Sequence, residues 1–169
     1  MTGGPLALHR VLAAGSALLA AVAILLFSRH LPERVASHFD PGGSPDNFMN
    51  RGVFVIVMVL LASALPLSLW WLQVRLAGQK KTRIPDPAYW FDIERQAQTV
   101  GFLCMHAAVF SAGLSFFMTF IFWLTLQAHR QNPVTLDTQA LWMALWIFLS
   151  LTGAWVYWLH QHFKSDRHR

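Results

Sequence analysis

The chain has 169 residues, of which 55% are hydrophobic and only 12% charged, and its formal net charge is +5. Soluble domains carry roughly 25% charged residues, so the shortfall excludes an ordinary water-solvated surface and fits one that faces lipid. The basic residues are divided among the loops and form no stripe, which excludes nucleic acid as a partner.

Four apolar runs, at about 11–28, 53–74, 100–126 and 140–159, contain no Asp, Glu, Lys or Arg. A helix needs about 20 apolar residues to cross the hydrocarbon core. The fold class that follows is all-α. It is one integral membrane bundle of four transmembrane helices over residues 1–169, with the bilayer as its main partner. A structured outer loop joins helices 1 and 2, and a short interfacial helix precedes helix 3.

The first run is longer than the about 7–15 apolar residues of a signal peptide, and Phe27-Ser28-Arg29-His30 is no small-residue cleavage site. It reads as an uncleaved anchor. Ala13, Ala17 and Ala21 line one side of it, as Ala108, Ala112, Ser115 and Thr119 do in the third run. Small residues let membrane helices approach closely, so these two faces are expected to meet.

The loop Leu31–Arg51 is the most informative polar segment. Asp40-Pro41-Gly42-Gly43 signals a turn, because Pro presets the first central dihedral and the following Gly permits a positive one. Val35, Phe39, Phe48 and Met49 are apolar enough to rest on the helix ends. His38, Asp40 and Asp46 combine an imidazole with two carboxylates, a donor set for a divalent metal. The competing reading gives Asp40 and Asp46 structural work as turn and helix-start caps, with His38 hydrogen bonded beside them. Asp46 is also placed to pair with Arg51.

Pro66 interrupts the second run and predicts a kink near Leu61–Ala62. Arg75–Arg83 is a basic stretch suited to anionic headgroups. After Ile84-Pro85, Asp86 and Pro87 predict the start of a short helix carrying Tyr89, Trp90, Phe91 and Ile93 and running through Gln96 into the third span. Cys104, the only cysteine, reads as a small buried residue. His106 is the one histidine placed inside an apolar run, and a structural bond to Ser or Thr of a neighbouring helix accounts for it. Asn132-Pro133 breaks the chain, and Asp137 is the expected cap of the fourth span. His160 and His162 are two residues apart and do not share a helix face; they read as interfacial tail residues.

Nine Lys and Arg lie in the termini and the loop after the second run, against four (Arg29, Arg34, Arg51 and Arg130) in the other two loops. Positive residues remain cytoplasmic. Both termini are therefore expected in the cytoplasm and Leu31–Arg51 outside. Trp70, Trp71, Trp123, Trp142, Trp146, Trp155, Tyr157 and Trp158 mark interfaces in agreement.

Leu31-Pro32, then Val35, His38-Phe39-Asp40, Gly43 and Pro45-Asp46, closed by Arg51, resembles the motif of a bacterial membrane family of unknown function. That family includes the SdpI-type immunity proteins, which protect cells from a secreted toxin. Tyr89-Trp90 with Glu94-Arg95 is similar to a second signature of some relatives. The resemblance covers about twenty residues; the immunity members are longer, with further spans. It implies a multi-pass protein of the bacterial inner membrane with the motif loop outside, and a binding role for Pro32, His38, Phe39, Asp40, Gly43, Pro45, Asp46 and Arg51.

No nucleotide-binding, zinc-protease or hydrolase motif occurs. The function expected is non-catalytic: binding, sensing or immunity through the outer loop, with a peptide or protein partner there, and with self-association as a further partner. The alternatives are a transport component, or a metal-dependent enzyme with Glu33, Asp40 or Asp46 as acid or base beside His38. The only cofactor the sequence offers is a divalent metal on His38, Asp40 and Asp46; otherwise none is expected.

Overall fold

A computed structural model describes residues 4–77, 79 and 84–165. Its elements are α1 (Gly4–Ser28), β1 (Arg34–Phe39), β2 (Pro45–Asn50), α2 (Arg51–Val59), a π turn (Leu60–Ala64), α3 (Leu65–Ala77), α4 (Pro87–Trp90), α5 (Gln96–Ala128) and α6 (Thr138–Ser165). Four helices are long and apolar enough to cross a membrane: Leu8–Ser28, Arg51–Ala77, Gln96–Ala128 and Thr138–Lys164. That is the arrangement of a multi-pass membrane protein. Lys80, Lys81, Arg83, Arg167 and Arg169 of the charge count lie outside the described residues.

The small-residue faces meet, but in a 3.6-residue register. On α1 the buried positions include Ala13, Ala17, Ala20 and Ile24. On α5 they include Cys104, Ala108, Ser111, Ser115 and Phe122. A strict four-residue step drifts off the face of a helix, so Ala21, Ala112 and Thr119 end up only half-buried. Cys104 is buried as expected.

Pro66 acts one turn earlier than itself. It lacks an N–H and its ring crowds the carbonyl four residues back. The chain answers with the π turn, in which the Leu65 N–H donates to Leu60 O, five residues back. The turn also carries Ser63, whose hydroxyl donates to Ala17 O at 2.8 Å and ties the second span to α1. The predicted kink is thus a π turn over the same residues.

The loop between the first two spans is a two-stranded antiparallel sheet, so the molecule is not purely helical. Pairs run from Arg34 with Asn50 to Phe39 with Pro45, with irregularities on either side of His38. Val35 is fully buried and joins Ile24, Leu31, Phe54, Met58, Phe122 and Leu126 in the core, and Met49 packs against it. Phe48 does not rest on the bundle; it is 42% exposed. The helix-start cap is Asn50, whose side chain accepts the Gly52 N–H, because the strand runs on past Asp46.

At the other end, α4 is a single turn that stops at Trp90, and α5 begins anew at Gln96, so the interfacial helix does not continue into the third span. Asp86 precedes α4 with a left-handed backbone (φ 51°) and no capping bond from its side chain. Asp137 caps α6 as expected, accepting the Ala140 N–H at 2.9 Å. α6 touches the rest through a seam of rings on α5, with Phe148 stacked on Phe117 at 4.7 Å and Trp155 on Phe110 at 6.0 Å. Phe163 is its only buried residue among those described.

Candidate functional site

The hairpin is built around a three-residue loop. The Asp40 N–H donates to Ser44 O, and the Gly43 N–H donates to Asp40 O, both at 2.9 Å. The Asp40 carboxylate accepts the Ser44 N–H at 2.8 Å. The positive dihedral falls on Gly43 (φ 89°), one residue later than the turn signal predicts. Such a loop places its left-handed residue last, where glycine carries no steric penalty.

Gly43 is also the point at which the loop touches the bundle. Its carbonyl accepts the Leu136 N–H at 2.9 Å. A Cβ here would sit 2.5 Å from Leu136 O. The tip therefore docks backbone to backbone on the α5–α6 linker.

A second clamp comes from the end of α5. His129 Nε2 accepts the Ala36 N–H at 3.0 Å. Its Nδ1 lies 2.9 Å from Thr125 O, so the neutral Nδ1–H tautomer satisfies both contacts. Ala36 stands opposite Phe48 in the sheet. The two N–H groups point away from each other, as in a non-hydrogen-bonded pair. Ala36 gives its own to His129, and Phe48 gives its own to the Asn47 side-chain oxygen at 2.8 Å. One edge of the sheet is thus sealed by α5 and the other by a neighbouring side chain.

The motif residues separate into supports and presented groups. Arg51 does not pair with Asp46. Its guanidinium donates to Leu31 O at 3.1 Å and its N–H to Glu33 O at 2.9 Å, which closes the base of the hairpin next to Pro32. Gly43 and Asp40 hold the turn. Phe39 and Pro45 are half-buried partners across the strands. His38 Nδ1 and Asp46 Oδ1 are 2.6 Å apart and exposed to solvent. Asp40 is committed to Ser44, so the three proposed metal donors do not converge. Among the described residues no group of three His, Cys, Asp or Glu side chains is arranged to hold a metal.

Inside the spans, His106 Nδ1 accepts the Trp155 N–H at 3.0 Å; the partner is the α6 indole and not a hydroxyl. His162 is not a free tail residue. Its ring stacks on Phe102 at 4.7 Å and lies 5.8 Å from Trp90, whereas His160 is exposed. Two groups escaped the sequence reading. His9 lies just before the first apolar run, but α1 extends back to Gly4 and buries it to 1% exposure against Trp70. Both its ring nitrogens, the Trp70 indole nitrogen and the hydroxyls of Ser111 and Ser115 are buried without a hydrogen-bond partner. His129 has no local signal at all, being 93 positions from Ala36.

Residues 15–62 match the family model of a domain of unknown function, DUF1648. The match covers most of α1, the whole hairpin and the second span as far as the π turn. No curated protein and no solved structure matches the chain. The segment similar to this domain is thus the hairpin and the two helices that carry it.

Proposed function

We infer that this is a non-catalytic membrane protein whose hairpin binds a peptide or protein partner on the outer face of a bacterial inner membrane, in the manner of an immunity or sensing protein. One observation carries the reading. The hairpin is clamped to the bundle at Gly43, Ala36 and Arg51, yet it leaves His38, Asp46 and Phe48 facing solvent. A clamped strand pair loses little further conformational freedom on binding, so contacts made there convert efficiently into affinity. An exposed aromatic beside a polar pair has the composition of an interface anchor with a polar rim. Both termini lie in the cytoplasm in this reading, following the charge bias.

The test is genetic. Cells lacking the gene are challenged with secreted peptide toxins and complemented with the wild type, His38→Ala or Phe48→Ala. Protection by the wild type and its loss in variants that still reach the membrane supports the reading. Equal protection by all three, or none by any, overturns it. A periplasmic-type signal from a C-terminal reporter would overturn the orientation.

A further inference from the structure

At the end opposite the hairpin, α4, the start of α5 and the end of α6 enclose a pocket of about 430 Å³. Tyr89, Trp90, Phe102 and Phe163 supply its walls. The walls are fixed internally: the Trp90 indole N–H donates to Phe163 O at 3.0 Å, and the Thr99 hydroxyl donates to Trp90 O at 3.0 Å.

The polar side chains on its lining are Arg95, Gln98 and His162. The Arg95 guanidinium lies over the Tyr89 ring at 4.2 Å. Its nearest carboxylate, Asp92, is 3.7 Å away, beyond hydrogen-bond length. Arg offers only donors, in a fork that matches phosphate, and the Gln amide adds two more.

Charge points the same way. Among the described residues, Arg10, Arg75, Arg95 and Lys164 outnumber Asp86, Asp92 and Glu94 at this end, whereas Glu33, Asp40, Asp46 and Asp137 balance Arg29, Arg34, Arg51 and Arg130 at the hairpin end. Tyr and Trp favour the depth of lipid headgroups, and basic pockets between spans take lipid phosphates.

We propose that this pocket binds a phosphate ester with an apolar tail, its phosphate on Arg95 and Gln98 beside His162 and its tail along Trp90, Phe102 and Phe163. The full chain in neutral detergent is offered equal amounts of dioleoyl phosphatidylglycerol and dioleoylglycerol, and adducts are counted by native mass spectrometry. The phosphate-bearing lipid is retained by at least about tenfold over the phosphate-free one, the factor expected of one charge-assisted contact pair. Arg95→Gln and Gln98→Ala each reduce that preference; Arg130→Gln, at the other end, leaves it intact.

Phenyl phosphate added in excess separates the sources. Displacement of the lipid assigns the site to phosphate esters that include soluble ones, and no displacement assigns it to membrane lipid. Equal retention of the two lipids by the wild type overturns the proposal. So does an unchanged preference in both Arg95→Gln and Gln98→Ala, when these variants elute and fold like the wild type.

Discussion

His129, at the end of α5, accepts the backbone N–H of Ala36, in the first strand of the hairpin, at 3.0 Å. This bond joins the third span to a loop between the first two and satisfies the outward Ala36 donor of the sheet. Replacing His129 by Ala strands a part-buried N–H, which costs about 1–3 kcal/mol. The expected result is a lower unfolding midpoint in detergent and faster amide exchange at Ala36, with β2 less affected. Unchanged exchange at Ala36 would remove the clamp from the account.

Gly43→Ala is destabilising on two independent grounds. The positive φ disfavours any side chain, at about 1–3 kcal/mol. The new methyl would also meet Leu136 O at 2.5 Å. Limited proteolysis should cut the variant in the hairpin or the α5–α6 linker well before the wild type. Gly15→Ala is the control: nothing lies within 4 Å of a Cβ there, and stability should hold or rise slightly.

His38→Ala separates function from fold. The His38–Asp46 pair is exposed, and such pairs contribute about 0–1 kcal/mol. Thermal denaturation in detergent should therefore move little while partner-dependent protection is lost. A large loss of stability would make the pair structural.

Ser63→Ala removes the bond to Ala17 O across the first two spans, worth about 0.6 kcal/mol on average between membrane helices. Ala108→Leu, at a fully buried position of α5, should cost several times more, because bulk at a close approach separates the backbones. Equilibrium unfolding in mixed micelles measures both. Tolerance of Ala108→Leu would count against the packed face.

His106→Leu and Trp155→Phe should be non-additive, since each removes one partner of the same bond. A double-mutant cycle on unfolding should give a coupling of about 0.5–1.7 kcal/mol. Loss of protection by His106→Leu with α6 still in place would instead give this histidine a functional role.

The four spans were legible in the sequence because lipid solvation acts on composition alone: no run contains Asp, Glu, Lys or Arg, and each became a long helix. Asp137 capped its helix because that contact spans three residues. Asp46 did not cap, because a strand continued where a loop was expected. The step from loop to hairpin needed pairings such as Val35 with Met49, which depend on the bundle burying Val35. Of the two readings of His38, Asp40 and Asp46, the turn role of Asp40 was legible because its carboxylate accepts an N–H only four residues on. His129 and Gly43 matter through partners 93 positions away in each case. No local pattern encodes such partners.

The aromatic seam and the single Trp155–His106 bond between α6 and α5 have a mechanical consequence. None of the apolar window of α6 is buried inside the protein, and a membrane helix so little packed can adjust its inclination when the bilayer thickens or thins. His162 and Phe163 sit at its far tip, so any such swing is delivered to the chamber they help enclose. The packed trio of α1, the second span and α5 lacks that freedom, because each buries part of its apolar length inside the protein.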